Sequence, residues 1–186
     1  MNANNSKLQA ILNSPNQYRV PVFQRFYTWT RKEWEELWGD VAALTDSAQN
    51  RSSLFMGSLV VVPLEPSATA PPMYEIIDGQ QRMMTYSLLL CALRNAAHGA
   101  EDSGLAAEIN DTCLVHPHRS GEERLRVLPR HRDLEAYIAA VDGEMPTDGR
   151  IREALRFFSA KLDTGVGPNG SDSLRGLFGR LQQRVE

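Results

Sequence analysis

The period of the apolar positions changes along the chain, and the changes mark its elements. Leu8, Ile11 and Leu12 are spaced for a short helix that stops at Asn13, Ser14 and Pro15. Tyr18 to Trp29 follows, rich in aromatics, with Arg19, Gln24 and Arg25 set between them. Pro21 has no N–H to give to a sheet, so this stretch predicts an edge strand or an extended loop. Thr30 and Glu33 form a capping box. They predict a helix to about Ala48, with Trp34, Leu37, Trp38, Val41 and Leu44 on one apolar face.

Phe55 to Val62 is β-branched and almost continuously apolar, which predicts a strand buried on both faces. Pro63 to Pro72 reads as a surface loop. Tyr74 to Ile77 predicts a short buried strand. At Asp78-Gly79 the chain can bend sharply, and from Gln80 to Ala97 the pattern is helical and apolar around most of its girth. That predicts a central, buried helix ended by His98-Gly99. Beyond a break at Gly99 to Gly104, Leu105 to Val115 predicts a weaker helix. His116-Pro-His118 reads as a surface turn. Arg124 to Pro129 alternates like a short strand. Arg130 to Val141, Ile151 to Leu162 and the segment carrying Leu174, Leu177, Phe178 and Leu181 read as amphipathic helices, with a flexible connection at Gly165 to Ser171. The chain to about Ala97 thus mixes strands and helices, and the rest is largely helical.

Composition narrows the function classes. The 186 residues are 42% hydrophobic and 23% charged, ordinary for a globular protein. A net charge of -3 argues against a chain that coats nucleic acid wholesale, although Arg19, Arg25, Arg31 and Lys32 form a local basic group. Cys91 and Cys113 fit no metal spacing, and Cys91 falls in an apolar helical run. Such usage suits a reducing compartment. The polar start and the lack of any run near the roughly 20 apolar residues of a membrane span predict a cytoplasmic protein without a membrane partner.

Several chemistries have no motif here. There is no phosphate-binding Gly-x-x-x-x-Gly-Lys-Ser/Thr loop, no Gly-x-Gly-x-x-Gly, no His-Glu-x-x-His, no Cys-x-x-Cys and no Gly-x-Ser-x-Gly. His98, His116, His118 and His131 do not supply a nuclease metal cluster. Asp78-Gly79-Gln80-Gln81-Arg82 remains the best place for chemistry. A strand turning into a helix exposes helix-start N–H groups and the positive end of the helix dipole, which suits a phosphate. Arg82 would hold a phosphate there, and Arg25 would add a second charge. Asp78 would bind magnesium or orient a water, and Gln80 or Gln81 would align the attacking water. The same residues also suit a plain Asp N-cap on a core helix, with Arg82 solvated or paired to it. Likewise, Phe23, Tyr27 and Trp29 can pin their loop to the core, or the loop can form an aromatic, basic binding wall.

Val20 to Trp29, Phe55-Met-Gly-Ser58 and Ile77 to Arg82 with Thr85 together resemble the N-terminal domain of GmrSD-type modification-dependent restriction enzymes. Arg124 to Pro129, Arg132-Asp133 and Ile151 to Phe158 resemble the later part of the same family. The resemblance implies an α+β, ParB/sulfiredoxin-like fold: a small mixed sheet with helices over residues 1–98, then a mainly helical annex over 99–186. It implies hydrolysis of a nucleoside triphosphate, GTP or UTP, with Mg2+, in bacterial defence against modified phage DNA. Asp78, Gln80, Gln81 and Arg82 become the catalytic candidates, Gly79, Arg82 and Arg25 the nucleotide-binding ones, and Asp78 the magnesium ligand. Phe23, Gln24 and Arg25 match the segment implicated in sensing modified DNA. Family members often continue into an HNH nuclease domain. The expectation is therefore a piece of a longer protein whose nuclease domain or subunit is gated by this one. The alternative is a non-catalytic regulatory module that binds nucleotide or modified DNA.

Overall fold

The structure, a computed structural model, describes residues 11–45, 57–65, 70–165 and 170–184. Four strands form one mixed sheet: β1 (Gln17–Arg19), β2 (Val60–Pro63), β3 (Met73–Asp78) and β4 (Val127–Leu128), in the order β2-β3-β1-β4. β1 runs parallel to both β3 and β4, with Tyr18 opposite Tyr74 and Val127, and β2 pairs antiparallel to β3. Among the described residues six long helices accompany the sheet: α1 (Arg31–Thr45), α2 (Gln80–Gly99), α3 (Ser103–Ile109), α4 (His131–Val141), α5 (Gly149–Gly165) and α6 (Gly170–Arg184). A π-helical turn at Asn110–Leu114 extends α3, and a 3-10 turn at Gly121–Arg124 leads into β4. The class is α+β, as the sequence predicts.

α2 is the centre of the molecule. Its apolar residues from Met83 to Ala97, Ala96 apart, are buried, and the helix packs against α3, α4, α5 and α6. Several polar residues on this helix are matched, whereas the Gln80 Oε1 and the Tyr86 hydroxyl are buried without a partner. Thr85 meets the Tyr27 hydroxyl at 2.7 Å, and Ser87 meets that of Tyr137 at 2.5 Å. Buried Arg94 donates to the Ala140 carbonyl at 2.9 Å and to that of Val141, closing the C-terminal end of α4. Buried Arg126 likewise donates to three carbonyls, those of Val115, Ser14 and Asp111. Orphan carbonyls at helix and turn ends are costly to bury, so these two arginines are structural.

Several elements differ from their sequence reading. The edge strand or loop expected around Pro21 contains, just before it, the central strand β1. The Val20 N–H makes the last ladder bond, to Leu128 at 2.9 Å, so Pro21 stands one residue beyond any need for an N–H. The apolar run ending at Val62 is an edge strand, not one buried on both faces. β2 pairs only with β3 among the described residues, and Val62 is 48% exposed. β-branched residues suit such a half-covered surface as well as a buried one. β3 is buried at Ile76, but Ile77 points outward, as strand alternation requires. His116 is buried rather than on a surface turn, because its N–H bonds to the Arg124 carbonyl and fastens the turn inward; His118 is exposed.

The capping box forms, with the Glu33 carboxylate accepting from both the Thr30 N–H and its hydroxyl at 2.7 and 2.8 Å. Of the short helix expected at Leu8 to Leu12, Ile11 and Leu12 are helical and the turn at Asn13 follows as expected; Leu8, the end of α1 at Ala48, Phe55, the middle of the Pro63 to Pro72 loop and most of the Gly165 to Ser171 connection lie outside the described residues. The chain after residue 98 supplies β4 to the sheet and the helices packed on α2.

Candidate functional site

The site grows from one backbone event. Gly79 sits at φ +91°, between β3 and α2, and caps the helix with no side-chain hydrogen bond. A Cβ there would lie 3.0 Å from the Ser58 carbonyl oxygen and 3.1 Å from Leu59. Both the left-handed conformation and the close approach therefore require glycine. The N-cap is Gly79, so Asp78 is free of the capping role that a plain core-helix reading assigned to it. Without a side-chain cap, the helix start keeps N–H groups that have no intrahelical acceptor, at the positive end of the dipole.

Four side chains stand at this junction. Asp78 is 64% exposed, and its carboxylate meets the Arg82 guanidinium at 3.4 Å. Arg82 also donates to the Ser58 carbonyl at 2.8 Å. Its guanidinium lies over Gly57, where an added Cβ would fall 1.8 Å from one of its nitrogens. Gly57, at φ +85°, is thus a seat for Arg82. Gln80 is buried, with its Nε2 donating to the Arg25 carbonyl at 3.2 Å and its Oε1 left without a partner. Gln81 is committed at both ends of its amide. Its Oε1 accepts from Thr28 N–H at 2.8 Å and Trp29 N–H at 3.4 Å, while its Nε2 donates to the Phe26 carbonyl at 2.8 Å.

The loop after β1 is therefore hung from the start of α2. Gln24 joins the same junction by donating to the Ile77 carbonyl at 2.8 Å. Below it, Tyr27 is buried and fixed by Thr85 and by the Trp34 indole N–H at 2.8 Å; burial pushes its phenol well above the ordinary range. The loop's other side is held by residues far along the chain. Asp133 accepts the Tyr27 N–H at 2.9 Å, and Arg130 donates to the Gln24 carbonyl. The guanidinium carbons of Arg130 and Arg132 stand 4.5 and 4.7 Å from the centre of the Phe26 ring. Burial raises the Asp133 carboxyl above its usual range, partly offset by the Tyr27 hydrogen bond.

The predicted residues Gln24, Asp78, Gly79, Gln80, Gln81 and Arg82 thus converge on one junction. Arg25 reaches it through its carbonyl and exposes its side chain, and Phe23 is exposed at the loop tip. Tyr27, held by Thr85 and Trp34, pins the loop and half-buried Trp29 packs against the core, whereas Phe23, 71% exposed, does not take the pinning role expected of it. Sequence reasoning from chemistry passed over Gly57, Ser58, Arg130, Arg132 and Asp133, because each acts through a contact distant in sequence. Among the described residues no three His, Cys, Asp or Glu form a cluster. The exposed carboxylate of Asp78 does fit Mg2+, which takes one or two carboxylates beside waters and substrate phosphates.

Residues 8–166 match the family described as GmrSD restriction endonuclease, N-terminal domain. No curated protein matches the chain. No helix among the described residues is long and apolar enough to cross a membrane. The matched span takes in β1 and its loop, the Gly57 seat, the Asp78–Arg82 turn and the Arg130–Asp133 brace. The chain belongs to the family of GmrSD restriction endonuclease N-terminal domains, a module of restriction and phage-defence proteins.

Proposed function

We propose that this module binds and hydrolyses a nucleoside triphosphate, GTP or UTP, at the Asp78–Arg82 turn, and that its aromatic loop senses modified DNA to gate a nuclease domain or subunit. The observation that carries the reading is the coincidence, at one helix start, of an uncapped backbone, a seated guanidinium and an unpartnered buried amide oxygen on Gln80. Phosphate oxygens bind the helix-start N–H groups. Arg82 gives up a long, exposed contact with Asp78, which is worth about 0–1 kcal/mol, and turns to the phosphates. Gln80 accepts a hydrogen bond from a water and orients it towards the terminal phosphorus. That water forms the new P–O bond, the bond to the bridging oxygen breaks, and the products are a nucleoside diphosphate and phosphate. Mg2+, bound through Asp78 and the phosphates, would neutralise charge on the phosphate oxygens. Gln81 holds the sensing loop rather than the water.

The engagement of Gln81 also supports a second reading, a non-catalytic module in which nucleotide or modified DNA acts only as an effector. Titration calorimetry beside a phosphate-release assay separates the two. Arg82→Ala is expected to stop release while keeping the fold by circular dichroism. Gly57→Ala, which drives a methyl onto Arg82 and costs about 1–3 kcal/mol in backbone strain, is expected to lower release in the same direction. A folded Arg82→Ala with full activity removes the turn from the mechanism. Tight nucleotide binding with no release establishes the effector reading instead.

A further inference from the structure

The two arginines beside Phe26 are not explained by the turn. Arg130 spends one nitrogen on the Gln24 carbonyl, whereas Arg132 is exposed and, like the exposed Arg25, makes no ion pair among the described residues. Both guanidiniums face one phenyl ring, at 4.5 and 4.7 Å. The nearest carboxylate on their own segment, Asp133, is turned inward to the Tyr27 N–H and half-buried. Arg25, the residue before Phe26, is exposed as well, and the single nearby carboxyl, that of Asp133, feels both Arg130 and Arg132. One carboxyl against two guanidiniums leaves a net positive charge that favours a further anion. Phe23, 71% exposed, and Val22 give the loop an uncovered apolar tip.

We propose that Arg25, Arg130 and Arg132 form a ridge that binds successive phosphates of a DNA strand, bringing DNA to the aromatic loop. Arginines beside an aromatic loop suit a nucleic-acid strand, because the cations take phosphates and an exposed ring takes the flat face of a base or sugar. The ridge adds the segment before α4 to the DNA-facing surface, and it rests on the reading that the loop meets DNA. Through the bond from Arg130 to the Gln24 carbonyl, an occupied ridge bears directly on the loop that Gln80 and Gln81 hold.

The test is fluorescence anisotropy of a labelled DNA duplex and of its single strand, titrated with the full chain over a range of salt and without nucleotide. An outcome against the ridge is then separate from one against hydrolysis at the turn. Arg132→Ala is expected to weaken binding several-fold and to lower the slope of log affinity against log salt by about 1. Arg132→Lys should keep the salt slope while losing part of the affinity. Arg156→Ala, the loss of an exposed arginine on α5, should leave both near wild type. The proposal is overturned if the wild-type chain binds no DNA, or if Arg132→Ala and Arg156→Ala behave alike. It is also overturned if inorganic polyphosphate of matched charge competes as well as DNA, which would make the ridge a general anion surface.

Discussion

Gln81 offers the sharpest test of how the loop is held. Replacing it with Met keeps the length of the side chain and removes its hydrogen bonds. Two of those bonds are short, at 2.8 Å to Thr28 N–H and to the Phe26 carbonyl, and the third is weak at 3.4 Å. A neutral hydrogen bond is worth about 0.5–1.5 kcal/mol net. Water reaches part of the clamp, so the expected loss is about 2 kcal/mol for the loop. At about 1.4 kcal/mol per tenfold, that accelerates amide exchange at Thr28 by roughly 30-fold. Gln81→Glu separates the two ends of the amide. It keeps an acceptor for Thr28 and Trp29, at a helix start where negative charge is favoured, and loses only the donor to Phe26. Its expected cost is about 1 kcal/mol. Native-state hydrogen exchange resolved at Phe26, Thr28 and Trp29 is the assay, with denaturant midpoints as a global check. Wild-type exchange at Thr28 in Gln81→Met would refute the clamp, and with it the claim that the turn positions the loop.

Two further outcomes follow from buried groups. Arg94→Met strips the partners from the Ala140 and Val141 carbonyls at the end of α4, and should cost about 3 kcal/mol in denaturant unfolding; a loss below about 1 kcal/mol would show that water replaces the arginine. Burial, helped by the neighbouring Arg126, holds the His116 imidazole below its ordinary value of 6.5 against a backbone hydrogen bond that favours the proton. The unfolded chain then binds more protons below pH 6.5, so this contribution to stability is full above that pH and is lost as pH falls through the lowered folded value. His116→Leu should remove that acid-side decline in the denaturant midpoint, and an unchanged pH profile would contradict the buried, neutral state.

Much of the fold was legible because it depends on local chemistry. The helix from Gln80 was visible in its unbroken apolar girth, and α4, α5 and α6 in their spacing. The capping box placed the start of α1 within a residue. The Asp78 to Arg82 turn stood out because a glycine between a strand pattern and a helix pattern has one economical use. Strand position was less legible. β1 was hidden by Pro21, whose effect begins only after the last ladder bond, and β2 looked central because a β-branched run reads the same on an edge. No residue near Val127 indicates that it would join a strand more than a hundred residues earlier.

The amino-acid pattern by itself determined which segments are helices, which helix is central, and where a glycine turns a strand into that helix. Those properties follow from periodicity, capping and glycine's freedom, all of which act over a few residues. Tertiary structure alone decided how the site's residues divide their work. It seated Arg82 on Gly57 and Ser58, left an oxygen of Gln80 unpartnered, spent both ends of Gln81 on the loop, and brought Arg130 and Arg132 against Phe26 and Asp133 to the Tyr27 N–H. Each assignment depends on which distant groups satisfy a donor or acceptor first, and that is a property of the packed chain rather than of any stretch of it.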